Sequence, residues 1–200
     1  MRAPRGSRGS GLAVAAAAAA LVVVGGSASA TADRGGGRGG VLPPSPCLQW
    51  GDLVPVELTL GHARAAIVCL VNRERAAYGL RRLEPNLRLQ RAAKRHTAQM
   101  DGTGCFRHRC PGELRLRQRL GPYFGRDPKR FKYGEALAWG PEPLATPREI
   151  VAALMTSTRH RFHLLRPVYD EVGVGFTVGT PESAGDVGGI YTIDLGMRID

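Results

Sequence analysis

The stretch "EVGVGFTVGTPESAGDVGGIYTIDLGMRID", residues 171–200, indicates the class of the fold, because apolar side chains recur in it at every second position. The alternation runs from Val172 to Val178 and again from Tyr191 to Ile199, with a glycine-rich connection between the two runs. A period of two is typical of strands with one face toward a core, and a short connection favours antiparallel pairing. We therefore predict two antiparallel, half-buried strands here, and a shorter strand in "EALAWG", residues 135–140.

Upstream of these strands the apolar pattern is helical. Residues 61–80 and 86–100 each carry an apolar stripe at helical spacing. In "TPREIVAALMTS", residues 146–157, Thr146 is placed as N-cap, Pro147 at the first helical position and Glu149 three residues after the cap. This is a capping box, which predicts a third helix. Helices long enough to cover a sheet, followed by paired strands, predict an α+β layered domain.

The N-terminus has the pattern of an export signal. Three arginines without an acid precede a 14-residue apolar run, Gly11 to Val24, and the small residues "GGSASATA" follow. This order is typical of a secretory signal peptide, with cleavage after Ala30. We predict a signal peptide over residues 1–30, a Gly/Pro-rich flexible linker over 31–46 and one folded domain over 47–200. No later stretch is apolar and long enough for a membrane helix, so we expect a soluble, exported protein. We also expect it to be a monomer.

The chain is strongly basic, with 28 Lys and Arg against 17 Asp and Glu and a formal net charge of +11. Such a charge suits anionic surfaces such as cell-wall polymers or lipid headgroups, and it also serves solubility alone. Aromatic residues make up only 6% of the chain, and the arginines are not interleaved with them. A nucleic-acid binder needs stacking platforms of that kind, so nucleic acid is not an expected partner.

Four cysteines in an exported chain indicate disulfides before metal ligands. Three pairings are possible, and proximity favours Cys105 with Cys110 and Cys47 with Cys69. The segment "CFRHRC", residues 105–110, has three interpretations: part of a zinc site, a disulfide-closed loop that presents His108, or an accident of a basic chain.

The candidate functional residues are histidines and one acid. His108 lies in the loop that a short disulfide would fix. Glu135 enters an apolar strand, where a carboxylate is costly unless it is paired. His160 and His163 lie three residues apart, close enough to share a helical face. His96 falls on the apolar stripe of the second helix, where a hydrogen-bonded core residue is the usual interpretation. Spacing alone leaves an open metal site, an acid–base pair and a structural cluster as alternatives.

Five segments taken in order resemble the CAP superfamily of SCP-like extracellular proteins. This superfamily includes plant pathogenesis-related class 1 proteins, insect venom antigen 5 and many secreted bacterial proteins. The resemblance runs from about Gly61 to the C-terminus. The segments are "CLVNRERAAYGLRRLEPNLRLQRAAKRHTAQM" (69–100), "CFRHRCPG" (105–112), "YGEALAWG" (133–140), "MTSTRHRFHLLRPVYDEVGVGF" (155–176) and "YTIDLGMR" (191–198).

The resemblance implies a three-layer α-β-α sandwich with a central, mostly antiparallel sheet and a surface cleft. In the family, the cleft holds two histidines and one or two acids, which in some members bind zinc or another divalent ion. His108 matches the histidine of the bacterial F-S-H motif, Glu135 the glutamate of G-E-N, and His160 the histidine of G-H-R-x-N-I-L. His108 and His160 are thereby the expected metal ligands, with zinc as the expected cofactor.

This chain also departs from the family motifs. Ala136 stands where G-E-N has asparagine, and His163 replaces the asparagine of the third motif, as a polar partner or a third nitrogen ligand. No counterpart of the second acid is found in the sequence, since the equivalent region offers Thr156 and Ser157. His96 occupies a position where related bacterial sequences often carry histidine, outside the family's cavity set.

Three functional hypotheses follow from the resemblance. The first is a secreted binding module at the cell envelope or outside the cell that takes a lipid, a sterol or a cell-wall component in its groove. The alternative is a metal-assisted hydrolase of peptides or esters, in which His108 and His160 hold zinc and Glu135 activates water. The third is a domain whose cluster only braces the sheet. The first is favoured because no cysteine is free if both disulfides form, and neither serine context resembles a nucleophile elbow.

Overall fold

The structure, a computed structural model, describes residues 45–124, 131–181 and 186–198, the last without the side chain of Arg198. The predicted signal peptide (1–30) and all but the last two residues of the predicted linker (31–46) lie outside the described residues. The described helices are α1 (Pro46–Gln49), a 3₁₀ turn (Pro55–Glu57), α2 (Leu60–Ala77), α3 (Leu87–Thr103), α4 (Leu116–Arg119), α5 (Gly121–Phe124), α6 (Pro147–Thr156) and α7 (Thr158–Leu164). The described strands are β1 (Glu84–Pro85), β2 (Phe131–Pro141), β3 (Glu171–Val178) and β4 (Gly188–Arg198).

The four strands form one sheet in the order β1-β3-β4-β2. The two-residue strand β1 runs parallel to β3, whereas β4 pairs antiparallel with both β3 and β2. The sheet is therefore mostly antiparallel, as predicted. The strand predicted in residues 135–140 is longer than expected, because β2 pairs with β4 from Phe131 to Pro141.

Helices cover both faces of this sheet. On one face, α2 and α6 contribute Ile67, Leu70, Ile150 and Val151 to a core shared with Val172, Val174, Ile193 and Leu195. On the other face, α3 lies directly on β3: a Cβ on Gly173 would come within 2.1 Å of Gln90 N, and one on Gly175 within 2.4 Å of Ala93 O. The prediction of half-buried strands is therefore wrong. Glycine marks the close approach of a helix backbone here, not a solvent-exposed face.

The helix predictions are confirmed by the caps. The Thr59 side chain accepts from His62 N, and Asn86 accepts from Arg88 N and Leu89 N. At α6, Thr146 accepts from Glu149 N and Pro147 is the first residue, as the capping box predicted. The segment after α6 forms a separate helix, α7, which carries His160 and His163. These elements complete the three-layer α+β sandwich.

Two disulfides connect the pairs that proximity favoured. Cys47–Cys69 ties α1 to α2, and Cys105–Cys110 closes the loop that follows α3. No cysteine of the described residues is free. Within residues 45–124, 131–181 and 186–198, no helix has the length and apolar content that crossing a bilayer requires.

Candidate functional site

Glu135 lies on β2, an edge strand of the sheet, and faces the layer formed by α3 and the disulfide loop. Its side chain is nearly inaccessible, with 4% of the residue exposed. His108 Nδ1 lies 2.8 Å from Glu135 Oε1, and Arg119 Nη2 donates to Oε2 at 2.8 Å and to Oε1 at 3.1 Å. Burial opposes ionisation, but the bond to His108 and the charges of Arg119 and His96 outweigh it and hold the pKa of Glu135 below its usual value.

A second acid, Glu113, belongs to the same cluster. Its Oε1 lies 2.7 Å from His96 Nδ1, and its Oε2 accepts from Cys110 N at 3.1 Å. The sequence comparison found no second acid, because it examined the region of Thr156 and Ser157. The sequence feature that could have identified Glu113 is its position five residues after His108, in the turn that follows the disulfide.

Arg119, at the end of α4, joins the two acids. Its Nη2 bonds Glu135 and also donates to the carbonyl of His108 at 2.9 Å, while its Nε lies 3.6 Å from Glu113 Oε1. The side chain is 6% exposed. Sequence reasoning missed this residue, because an arginine within "RLRQR" (115–119) looks like the solvated arginines around it.

His96 and Asp194 complete the cluster from the neighbouring elements. His96 is fully buried on α3, bonded to Glu113 through Nδ1, with Nε2 3.9 Å from Glu135 Oε2. Asp194 lies opposite Glu135 in the β2–β4 register and is also fully buried. Burial, and next the charge of Glu135, raise the pKa of Asp194 well above its usual value. A raised pKa favours the protonated form, which avoids two adjacent buried carboxylates.

His160 lines an open pocket that none of the cluster side chains lines. The pocket measures about 220 Å³ and is lined by Phe106, Leu137, Ala138, Trp139, Ala153, Leu154 and His160. Among the described side chains, no hydrogen bond or ion pair joins His160 to Glu135. Burial and then the charges of His108, His163 and Arg159 lower the pKa of His160, which favours its neutral form.

His163 does not reach the acids either. Its Nδ1 lies 3.2 Å from the point that a Cβ on Gly134 would occupy, and its ring contacts Phe162 edge-on. Burial, followed by the charge of Arg166, lowers the pKa of His163. The structure thus gathers His108, His96 and Glu135 in one cluster, and places His160 on the pocket wall and His163 against β2.

The side chains as placed do not fit the expected zinc ion. In the part of the chain that the structure describes, no three His, Cys, Asp or Glu side chains are arranged to hold a metal ion. Both carboxylate oxygens of Glu135 already face the guanidinium of Arg119, which would repel a second cation. Zinc binding by His108 and His160 stays a prediction, and the position of Arg119 argues against it.

The sequence also matches the model of a known protein family. Residues 68–193, more than half of the chain, match the cysteine-rich secretory protein family, CAP. The chain belongs to the CAP family. The matched part of the CAP domain contains every residue of the cluster except Asp194, which lies one position beyond it. No curated protein matches the chain at a significant level.

Solved structures share the fold of this CAP domain. An outer surface protein from Borrelia burgdorferi superposes with a TM-score of 0.58 at 21% identity, covering 71% of this chain and 97% of that protein. An extracellular protein with an SCP domain from Bacillus anthracis gives 0.52 at 22% identity, covering 70% of this chain and 44% of that protein. At these identities the similarity establishes the three-layer fold alone.

Proposed function

We propose that the protein is a binding module that acts outside the cell and takes the apolar part of a lipid-like or cell-wall ligand in the pocket beside His160. The observation that carries this proposal is the difference between the pocket and the cluster that contains Glu113 and Glu135. The 220 Å³ pocket is open and lined mainly by apolar and aromatic side chains, whereas both neighbouring acids are already bound by Arg119, His96 and His108. Apolar concave surfaces with a few polar groups are typical of small-ligand sites.

The same contrast disfavours hydrolysis. A general base must have a free lone pair within reach of the attacking water. Glu135 is 4% exposed, and each of its oxygens is hydrogen-bonded. The cysteines of the described residues are all in disulfides, so a thiolate nucleophile is not offered there. No specific observation therefore favours the metal-assisted hydrolase.

Three features support action outside the cell. The N-terminal pattern predicts export, and the two disulfides suit an oxidising compartment. The structural relatives named above are described as an outer surface protein and an extracellular protein. We propose the same location for this chain.

Tryptophan fluorescence can test the pocket, because the chain has only two tryptophans. Trp139 lines the pocket, whereas Trp50 stacks on His62 with ring centroids 4.7 Å apart. In a Trp50→Phe variant, Trp139 is the sole reporter. We expect a saturable blue shift of its emission with one of three probes: short-chain phosphatidylcholine, a soluble sterol, or soluble peptidoglycan fragments.

The pocket itself can be closed by one substitution. Ala153 is exposed and lines the pocket, so Ala153→Phe fills it without disturbing the core. We expect the affinity for the probe to fall about tenfold or more, the effect of losing one well-filled apolar contact. Ala152→Phe, at the exposed neighbouring position outside the pocket lining, is the matched control and should bind as wild type. No shift with any probe, or equal binding by the two variants, would overturn the proposal.

A further inference from the structure

The outer surface of α7 combines arginines with an exposed aromatic ring. Arg159 and Arg161 are exposed, and the neighbouring Phe162 is 61% exposed. The guanidinium of Arg166 lies 5.6 Å from the centroid of the Phe162 ring. Other large apolar side chains of the described residues are also exposed, but Phe162 combines this exposure with arginines on either side and a guanidinium against its ring.

Among the described residues, Arg159 and Arg161 of α7 have no acidic partners. The sequence has no Asp or Glu from residue 150 to residue 169. Among the described residues, the ion pairs of arginine with acids use Arg119 and Arg148, and neither Arg159 nor Arg161 takes part in one. Their charge is therefore available to an external anion.

An apolar groove lies beside these charges. It has a volume of about 290 Å³ and is lined by Thr158, Arg161, Phe162, Leu165, Arg166 and Pro167. Its lining is mainly apolar and includes the side chains of two arginines, Arg161 and Arg166. Guanidinium groups bind phosphate by paired hydrogen bonds, and aromatic rings insert at the boundary between headgroups and acyl chains.

The disulfide loop adds charge next to α7. Arg107 and Arg109 are exposed on this loop. Phe106 of the loop and His160 of α7 line the same pocket, and the charge of His108 affects His160. The loop and α7 are therefore neighbours, and the arginines of the loop add to the positive charge near α7.

We propose that α7, with Phe162 at its centre, docks the protein onto a membrane surface rich in anionic phospholipid. A polyanion needs only the arginines, whereas a membrane also gives the exposed Phe162 and the groove an apolar environment. This surface is distinct from the pocket of the proposed function, and the docking does not depend on what that pocket binds.

Co-sedimentation with lipid vesicles tests the docking, using the protein expressed from the full chain. The probes are vesicles of phosphatidylcholine alone, vesicles of phosphatidylcholine with phosphatidylglycerol, and soluble polyphosphate. We expect selective, salt-sensitive binding to the anionic vesicles. Arg159→Gln with Arg161→Gln should weaken it about 30-fold, from the contribution of two arginines near an anionic surface.

Matched variants distinguish binding through α7 from binding that depends only on net charge or on any exposed apolar side chain. Arg91→Gln with Arg95→Gln removes the same charge from exposed positions of α3, and Leu87→Ser removes another exposed apolar side chain. Both should bind vesicles as wild type, whereas Phe162→Ser should lose vesicle binding and keep any weak binding to polyphosphate.

Three results would overturn the docking proposal. One is an equal loss of vesicle binding in the arginine variants of α7 and α3, which would mean that the protein binds through its net charge alone. Another is binding to polyphosphate without binding to vesicles, and the third is unchanged vesicle binding by Phe162→Ser. Ala153→Phe should dock as wild type, so failure of the pocket and failure of the docking surface give different results.

Discussion

The cluster around Glu135 and the outer surface of α7 are both rich in charge, yet they differ in how the charges are satisfied. Inside the cluster, Arg119 lies between Glu113 and Glu135, and each acid also bonds a histidine. On α7, Arg159 and Arg161 are exposed and have no acidic partner among the described residues. Paired buried charges hold layers together, whereas unpaired exposed charges are available to a ligand.

Desolvation explains why the two regions differ. A buried charge costs several kcal/mol unless a partner compensates it. Each charge in the cluster therefore depends on its neighbours, and the cluster joins α3, the disulfide loop, α4, β2 and β4. On α7 water solvates each arginine, so no internal partner is required. The cluster thus has the properties of a brace between these elements.

The strongest test of this difference is Arg119→Ala. It leaves Glu113 and Glu135 buried without their shared cation, and breaking a buried pair in this way costs about 3–5 kcal/mol. Urea unfolding should show this loss in the free energy of unfolding. Arg117→Ala, an exposed arginine of the same helix, is the control and should change the stability by less than about 0.5 kcal/mol. Equal losses would mean that the cluster is not a brace.

Asp194→Asn tests the cluster through pH. Because the folded state raises the pKa of Asp194, the folded protein retains a proton that the unfolded chain releases above about pH 3.9. The free energy of unfolding of the wild type therefore falls by up to about 1.4 kcal/mol per pH unit, until the pH reaches the pKa of Asp194 in the folded protein. The variant cannot ionise, so its stability relative to wild type should rise with pH.

Urea unfolding from about pH 4 to about pH 7 measures this difference. Asp186→Asn changes an exposed acid and should follow the wild-type curve. Parallel curves for Asp194→Asn and wild type would show that Asp194 ionises as freely in the folded protein as in the unfolded chain.

The arginines of α7 should contribute little to stability. Arg159→Gln with Arg161→Gln removes two exposed charges that have no acidic partner in the part of the chain that the structure describes, so the free energy of unfolding should change by less than about 0.5 kcal/mol. The same urea experiment measures it. A loss as large as that of Arg119→Ala would place these arginines in the structural network and remove the contrast between the two regions.

Of the changes considered, the addition of zinc should have the smallest effect on the protein. Because Arg119 already supplies the cation between the two acids, calorimetric titration of the wild type should show no saturable micromolar binding. His108→Ala and His160→Ala are the informative variants. Saturable binding by wild type that both substitutions abolish would place the two histidines on one metal ion and restore the metal hypothesis.

Local patterns in the sequence were sufficient for most of the fold. The alternation in residues 172–178 and 191–197 located β3 and β4, and the capping box at Thr146 located α6. Proximity of the cysteines favoured the disulfide pairs that the structure contains. The resemblance to a known family added the three layers and pointed to His108, Glu135 and His160.

These elements could be predicted because helix caps, strand periodicity and short disulfide loops depend on residues that are close in the chain. The partners of Glu135 depend instead on contacts between elements that are far apart in the chain. Asp194 lies at one of the alternate positions of β4 that a strand pattern assigns to solvent. Arg119 lies in a run of surface arginines. Asp194 is paired with Gly173 in the sheet, where the glycines of β3 let α3 lie directly on the strand. Arg119 is buried against Glu113 and Glu135. Burial of these charges, and the pairing that burial requires, arises from the packing of layers that are distant in sequence.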